Sequence, residues 1–168
     1  MARPPPDPLY ILRGSGASVN ALHFCCGGDR PPLLYSGSGK GAVHVWNLST
    51  RRAERVLESH AGNSVIWLNT FNNSRSCLIS QGRDMRVCVW DLSEGRSAVT
   101  DSLHTGSVGF CQCSLLESRL GSTLLAHPTQ HMEEVSVVEM SSWTQVCSLK
   151  PDSNLGMLMS MKMWQMLF

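Results

Sequence analysis

The strongest constraint in this sequence is that it repeats itself. Ser36 to Ser49 reads SGSGKGAVHVWNLS and Ser80 to Ser93 reads SQGRDMRVCVWDLS, aligned without a gap at an offset of 44 residues. Ser36 falls on Ser80, Val43 on Val87, Val45 on Val89, Trp46 on Trp90 and Leu48 on Leu92. A unit recurring at this spacing cannot bury its own apolar surface, so neighbouring units must stack and share a core.

Within each repeat the residues predict strands. Val43-His44-Val45-Trp46 and Val87-Cys88-Val89-Trp90 are β-branched and aromatic runs bounded by Gly-rich or Asp-containing turns. Both are nearly continuous apolar runs, as a strand packed on both faces requires. Upstream, 19–24 and 65–70 are predicted as innermost strands and 33–36 and 77–81 as second strands. The weaker runs 52–56 and 97–102 are predicted as outer strands. No window carries a helical stripe with caps. A period of 44 closing on Trp-Asn or Trp-Asp resembles the WD40 repeat, in which four strands form one blade of a β-propeller. The expected fold class is all-β: WD40-type β-propeller blades in an incomplete ring of about three and a half blades.

A third, degenerate repeat follows in 109–114, 123–127 and 135–140, with 145–149 as its outer strand. Adding 48 to Trp90 lands on Val138, followed by Glu139 and Met140, so the tryptophan is lost but a hydrophobic-acidic-hydrophobic end remains. Residues 157–164 would open a fourth repeat. The expected organisation is a Pro-rich tail over 1–8, a closing strand plus blade 1 over 9–56, blade 2 over 57–102, degenerate blade 3 over 103–149 and the start of blade 4 over 150–168. A ring of six or seven such blades needs roughly 260 to 310 residues, and this chain has 168. The expectation is therefore a truncated or alternatively spliced chain. Leu9-Tyr10-Ile11-Leu12 has the character of a closing strand whose partner blade lies beyond Phe168, and the open apolar ends are expected to drive self-association.

The WD40 resemblance also implies a site. Blades of that family often hold a buried hydrogen-bonded tetrad: a His before the first strand, a Ser or Thr on the second, an Asp in the next turn and the Trp on the third. This sequence supplies His60, Ser80, Asp84 and Trp90 in that order, with Ser59-His60 where the family has Gly-His. The imidazole can donate to the carboxylate and bridge to the hydroxyl, which accepts from the indole N–H. The first repeat keeps only a partial tetrad, Ser36 and Trp46; Lys40 replaces the Asp and no His precedes Val19, so that blade is expected to rely on packing alone. A Ser-His-Asp set also invites a catalytic reading, which needs an exposed nucleophile beside an oxyanion hole. These residues instead fall where blades hold themselves together, and the structural reading is the expectation.

Other candidates are weaker. His127 and His131 with Glu133 and Glu134 suggest metal, yet 127–131 reads as a turn and no further ligands stand at zinc spacing. His23 beside Cys25 resembles a thiol–base pair, but alternating strand positions more often fill a core. The stretch Gly37-Ser38-Gly39-Lys40-Gly41 lacks P-loop spacing and precedes a strand, so it reads as a hairpin turn. The seven cysteines are odd in number, form no CxxC pair and lie partly in apolar strand runs. Net charge is +1 with both signs intermixed, which builds no face for a phosphate backbone. The N-terminus has no apolar signal core, and no run approaches the roughly 18 apolar residues of a membrane span. The expectation is a reduced, cytoplasmic and also nuclear protein that is not an enzyme. It takes no cofactor, metal, small-molecule substrate, nucleic acid or membrane, and its partners are other proteins.

More specific strings lie along the chain: Pro-Pro-Asp-Pro with Ile11-Leu12-Arg13-Gly14, Ala21-Leu22-His23-Phe24, Ser80-Gln81-Gly82-Arg83-Asp84, Glu94-Gly95-Arg96-Ser97-Ala98, Ser107-Val108-Gly109-Phe110-Cys111 and Leu155-Gly156-Met157. In these the chain resembles the vertebrate family of guanine nucleotide-binding protein beta subunit-like proteins. That family is made of WD40 repeats alone, has no known catalytic activity and is not an established G-protein subunit. Its relatives, fungal ASTRA-associated proteins among them, imply a role beside the co-chaperone assembly that matures phosphatidylinositol 3-kinase-related kinases, and through it in DNA-damage signalling. Three other readings compete. A cullin ubiquitin ligase substrate receptor would want Arg where Ser93 follows Trp90-Asp91-Leu92. An enzyme would use Cys25 or Ser80. The short form could also lack an independent role.

Overall fold

The computed structural model describes residues 6–26, 31–71, 75–108, 110–118, 121–153 and 156–164. They form three four-stranded antiparallel sheets, each a meander in chain order. Blade 1 is β1 (Val19–Cys25), β2 (Leu33–Ser38), β3 (Ala42–Asn47) and β4 (Arg52–Glu58). Blade 2 is β5 (Val65–Thr70), β6 (Cys77–Gly82), β7 (Arg86–Asp91) and β8 (Ala98–His104). Blade 3 is β9 (Ser114–Glu117), β10 (Thr123–Pro128), β11 (Val135–Glu139) and β12 (Thr144–Leu149). Among the described residues the only helical element is a single 3-10 turn, Ser93–Gly95.

Register shows that the three sheets are one motif. Leu34 pairs with Trp46, Leu78 with Trp90 and Leu125 with Val138. A bulge in the pairing with the outer strand falls just before Trp46, Trp90 and Val138 in turn. Val138 therefore stands at the tryptophan position of blade 3.

Strand alternation gives each blade two faces, a front toward the next blade and a back toward the previous one. Tyr35, Val43, Val45 and Leu57 on the front of blade 1 share one core with Leu68, Leu78, Trp90 and Leu92 on the back of blade 2. Ile79, Val87 and Val89 on the front of blade 2 share a second with Cys113, Leu125, Val138 and Met140 of blade 3. Tyr35, Val43, Leu78, Ile79, Val87 and Leu125 are fully buried, each at about 1.5–3 kcal/mol for a large apolar side chain removed from water. Blades 1 and 2 approach closely at Gly37, where a Cβ would lie 2.6 Å from Val65 Cγ1.

Three expectations are corrected. The first strand of the third repeat, read at 109–114, is β9 at Ser114–Glu117; Gly109 lies outside the described residues. Its backbone is satisfied by a side chain instead of a strand: Gln81 Nε2 donates to the Cys111 carbonyl (3.1 Å), and Cys113 N–H donates to Gln81 Oε1 (2.8 Å). Residues 157–164 form no strand but a strap across blade 3. It is pinned where Leu158 N–H donates to the Met132 carbonyl (2.8 Å) and Met163 N–H to Ser114 Oγ (2.9 Å). Residues 9–12 are not in a strand either; the Arg51 guanidinium lies over the Tyr10 ring at 4.7 Å. Of the Pro-rich tail at 1–8, residues 1–5 lie outside the described residues.

Candidate functional site

The back of blade 2 carries four polar side chains that would each be costly to bury alone. Ser80 sits on β6, Trp90 opposite Leu78 on β7, Asp84 in the turn between them and His60 in the loop leading to β5. The structure brings all four together. His60 Nδ1 lies 3.0 and 3.1 Å from the two Asp84 carboxylate oxygens, His60 Nε2 lies 2.8 Å from Ser80 Oγ, and Trp90 Nε1–H donates to the same Oγ at 2.8 Å. The carboxylate can only accept, so Nδ1 carries the proton. Nε2 is then the acceptor and the Ser80 hydroxyl donates to it. Each donor has an acceptor, and the chain of bonds is closed. His60 and Ser80 are fully buried and Trp90 is 2% exposed.

The connectivity from hydroxyl to imidazole to carboxylate matches that of a catalytic triad, but the chemistry differs. The Ser80 oxygen has a lone pair occupied by an indole N–H and no exposed surface through which a substrate could approach. What the arrangement can do is lock two strands, a turn and a loop of one blade while presenting the Trp90 ring to the apolar core beside it.

Gly82, which the sequence reading did not single out, makes this possible. A Cβ there would lie 2.5 Å from Asp84 Oδ1 and 2.8 Å from His60 Cγ. The available signal is in the repeat itself, where Gln81-Gly82 stands against Gly37-Ser38, exchanging small and polar residues in a buried strand.

Blade 1 does not rely on packing alone. Trp46 Nε1–H donates to Ser36 Oγ at 2.8 Å, and the His44 ring stacks on Trp46 with centroids 5.5 Å apart. In blade 3 the register puts His127 where Ser36 and Ser80 stand, beside Val138 in place of Trp. His127 lies in β10, within the run 123–127 read as a strand and outside the turn read over 127–131; it is buried, and its Nδ1–H donates to the Pro128 carbonyl (3.0 Å). Burial pushes its pKa below the usual histidine value. His131 is exposed, and the Glu134 carboxylate accepts from the hydroxyls of Thr129 and Ser148. Among the described residues no three His, Cys, Asp or Glu side chains converge on a metal-sized site.

The remaining candidates bind neighbouring blades together. His23 Nε2 pairs with Thr70 Oγ1 across the blade 1–blade 2 seam (2.9 Å), so its partner there is a hydroxyl and not Cys25. Tyr35 O–H donates to the Arg75 carbonyl (3.0 Å), and burial pushes its pKa up to about 12. Arg55 reaches the carbonyls of Leu92 (2.8 Å) and Arg96 (2.6 Å). Of the stretch read as a hairpin turn, Gly37 and Ser38 end β2 and residues 39–41 make the β2–β3 turn, closed by Ala42 N–H on Ser38 Oγ (3.0 Å). All seven cysteines are free thiols, and burial raises the pKa of Cys88, Cys111 and Cys113. Among the described residues no helix is long and apolar enough to cross a membrane.

Comparison with known proteins agrees with this architecture. The model of the WD domain, G-beta repeat, matches residues 6–47 and 51–91. The mouse guanine nucleotide-binding protein subunit beta-like protein 1 is 47% identical over 166 residues, spanning 96% of this chain and 51% of the mouse protein. The ASTRA-associated protein 1 of Penicillium rubens is 36% identical over 90 residues, 52% of this chain and 20% of that protein. Its counterpart in Pyricularia oryzae is 26% identical over 96% of this chain and 39% of its own length. The chain thus spans about half the length of the mouse relative and less of the fungal ones. The crystal structure of the computationally designed Ika4 protein superposes with a TM-score of 0.61 at 15% identity, covering 95% of this chain and 88% of that one, a likeness of fold alone. With the family model on its first two repeats, the shared register of its three sheets and the closed tetrad of its second, the chain is a WD40-repeat protein.

Proposed function

We propose that this chain is a non-catalytic protein-interaction scaffold that works beside the co-chaperone assembly maturing phosphatidylinositol 3-kinase-related kinases, and through it in DNA-damage signalling. The observation that carries the scaffold reading is the sealing of the tetrad: its Ser-His-Asp constellation is spent on itself inside the core. What a partner can meet is a set of loops and strand edges on a stiff frame. The pathway is supported by the likeness to the fungal ASTRA-associated proteins. The free thiols suit a reducing compartment, cytoplasm or nucleus. The cullin-receptor reading gains nothing from the end of β7, where Ser93 closes a turn on Asp91 (N–H to Oδ1, 2.8 Å) in the place that motif gives to Arg.

The test is affinity capture of the tagged chain from cells, beside the full-length mouse relative. Enrichment of the kinase co-chaperone subunits with the chain is expected. If neither bait brings them down, the pathway fails while the fold stands. Stoichiometric labelling of Ser80 by a serine-reactive probe would sink the non-catalytic reading.

A further inference from the structure

The repeat supplies its own control for reading side chains at the blade seams. Arg55 on β4 stands opposite Val45; the same place in blade 2, opposite Val89, is Asp101, and in blade 3, opposite Val137, it is Cys147. Three blades of one design accept a cation, an anion and a thiol there, so the fold does not require the charge of Arg55.

That charge is costly where it stands. Arg55 is half-buried at the seam between blades 1 and 2. Its Nη1 donates to the carbonyls of Leu92 and Arg96, and among the described residues no carboxylate lies within ion-pair distance of it. Carbonyls satisfy N–H groups but leave the positive charge unneutralised. The nearby acids are engaged elsewhere: Asp91 and Glu94 pair with Arg96, and Glu54 accepts from Asn47 Nδ2 (2.6 Å).

Arg55 lines a cavity of about 250 Å³ at the end of the seam where β3 and β7 finish and β2 and β6 begin. Leu33, Tyr35, Val45 and Leu92 form its apolar wall, and Arg75 of blade 2 joins Arg55 on the polar side. Arg75 crosses the seam in the other direction: its guanidinium donates to the Pro31 carbonyl, while its own carbonyl accepts the Tyr35 hydroxyl. Each guanidinium is thereby anchored on the opposite blade before any ligand arrives, which lowers the ordering cost of binding. Both recorded bonds of Arg55 use Nη1, so Nη2 and Nε carry no hydrogen bond among the described residues. Those two nitrogens form the side-on fork that matches a carboxylate.

We infer that this seam cavity is a docking site for an acidic peptide segment of a partner protein. One carboxylate side chain sits on Arg55 Nη2 and Nε beside Arg75, and a neighbouring apolar side chain rests against Tyr35 and Leu92. The volume falls below the roughly 300–1,000 Å³ of small-molecule sites, which favours a side chain or two over a whole metabolite. The corresponding cavity at the blade 2–blade 3 seam carries Asp101 in place of Arg55, so an acidic segment is directed to one seam only. The inference goes beyond the scaffold reading, which names no surface, and rests on it only in taking the occupant to be a protein.

The experiment is a fluorescence-anisotropy titration of the full chain with a fluorescein-labelled peptide of alternating leucine and aspartate, and with its asparagine counterpart. The aspartate peptide is expected to bind at least roughly tenfold more tightly, the effect of a charge-assisted hydrogen bond. Arg55→Gln is expected to abolish that preference, and Asp101→Asn to leave it unchanged. Glu54→Gln removes the one acidic side chain on the cavity wall and keeps an amide oxygen for Asn47, so it is expected to tighten the aspartate peptide. Circular dichroism checks that each variant folds; should Arg55→Gln fail to, Glu54→Gln decides. Equal binding of the two peptides, a preference that survives Arg55→Gln or is lost in Asp101→Asn, or no tightening by Glu54→Gln overturns the inference. Peptide binding that fails while cellular capture succeeds removes this site alone, and the reverse removes the pathway alone.

Discussion

Gly82→Ala puts a methyl group into the middle of the tetrad. Its Cβ would sit 2.5 Å from Asp84 Oδ1 and 2.8 Å from His60 Cγ, where ordinary contacts begin near 3.4 Å. Neither neighbour is the loose end of a flexible chain: His60 is fully buried and also held at Nε2 by Ser80. The imidazole and carboxylate must part by several tenths of an ångström, which breaks the 3.0 Å bond between them. A buried group left without its partner costs about 1–3 kcal/mol, and overpacking a core costs about 1–3 kcal/mol more. A total of about 2–6 kcal/mol lowers the melting temperature of a chain this long by roughly 6–18 °C. The assay is thermal unfolding followed by circular dichroism, run also in an Asp84→Ala background. One of the two obstructing groups is gone there, and the decrement from Gly82→Ala is expected to fall to roughly half. A Gly82→Ala chain melting within about 1 °C of native, or the same decrement in both backgrounds, refutes the reasoning.

Two other expectations follow from burial. Burial holds the pKa values of His127 and His23 below the ordinary 6.5, so the unfolded chain takes up a proton more readily than the folded one. Their contribution to stability is complete above pH 6.5 and is lost as pH falls from there toward the folded values. Melting temperature is therefore expected to drop as pH falls below about 6.5, and a His127→Gln chain should show a shallower drop. A melting temperature that rises on acidification contradicts this. A maleimide at neutral pH should label Cys26 and Cys147, which are exposed, within minutes, and Cys88, Cys111 and Cys113 only on unfolding. Equal rates at all seven thiols, read by mass spectrometry, would contradict the packing.

The readable parts of the fold were those encoded by local pattern. β3 and β7 announce themselves because two apolar runs of the same length end in Trp at the same offset, and β5 spans 65–70 as the sequence suggests. The tetrad members lie at positions that the WD40 resemblance names, and the structure holds them within hydrogen-bond reach of one another. What escaped depends on contacts distant in sequence. The start of β9 is displaced because Gln81, 30 residues upstream of Cys111, satisfies that backbone with its side chain. The need for glycine at 82 comes from a histidine in another loop. His127 is shared between the strand read at 123–127 and the turn read at 127–131; it belongs to β10, and its register on β11 puts it at the serine position of the motif. The apolar run at 157–164 has strand-like composition, yet its backbone bonds go to the Met132 carbonyl and the Ser114 hydroxyl, contacts distant in sequence that lay it across blade 3 as a strap.

The most direct test of a sealed polar set is hydrogen exchange of the tryptophan indole N–H groups, followed by NMR, with the 73%-exposed Trp164 as an internal reference. The expected result is that the Trp90 indole, bonded to Ser80 beneath blade 1, exchanges only through global unfolding, thousands of times more slowly than Trp164. Exchange of Trp90 at the rate of Trp164 would mean that water reaches Ser80. The tetrad would then be an open site.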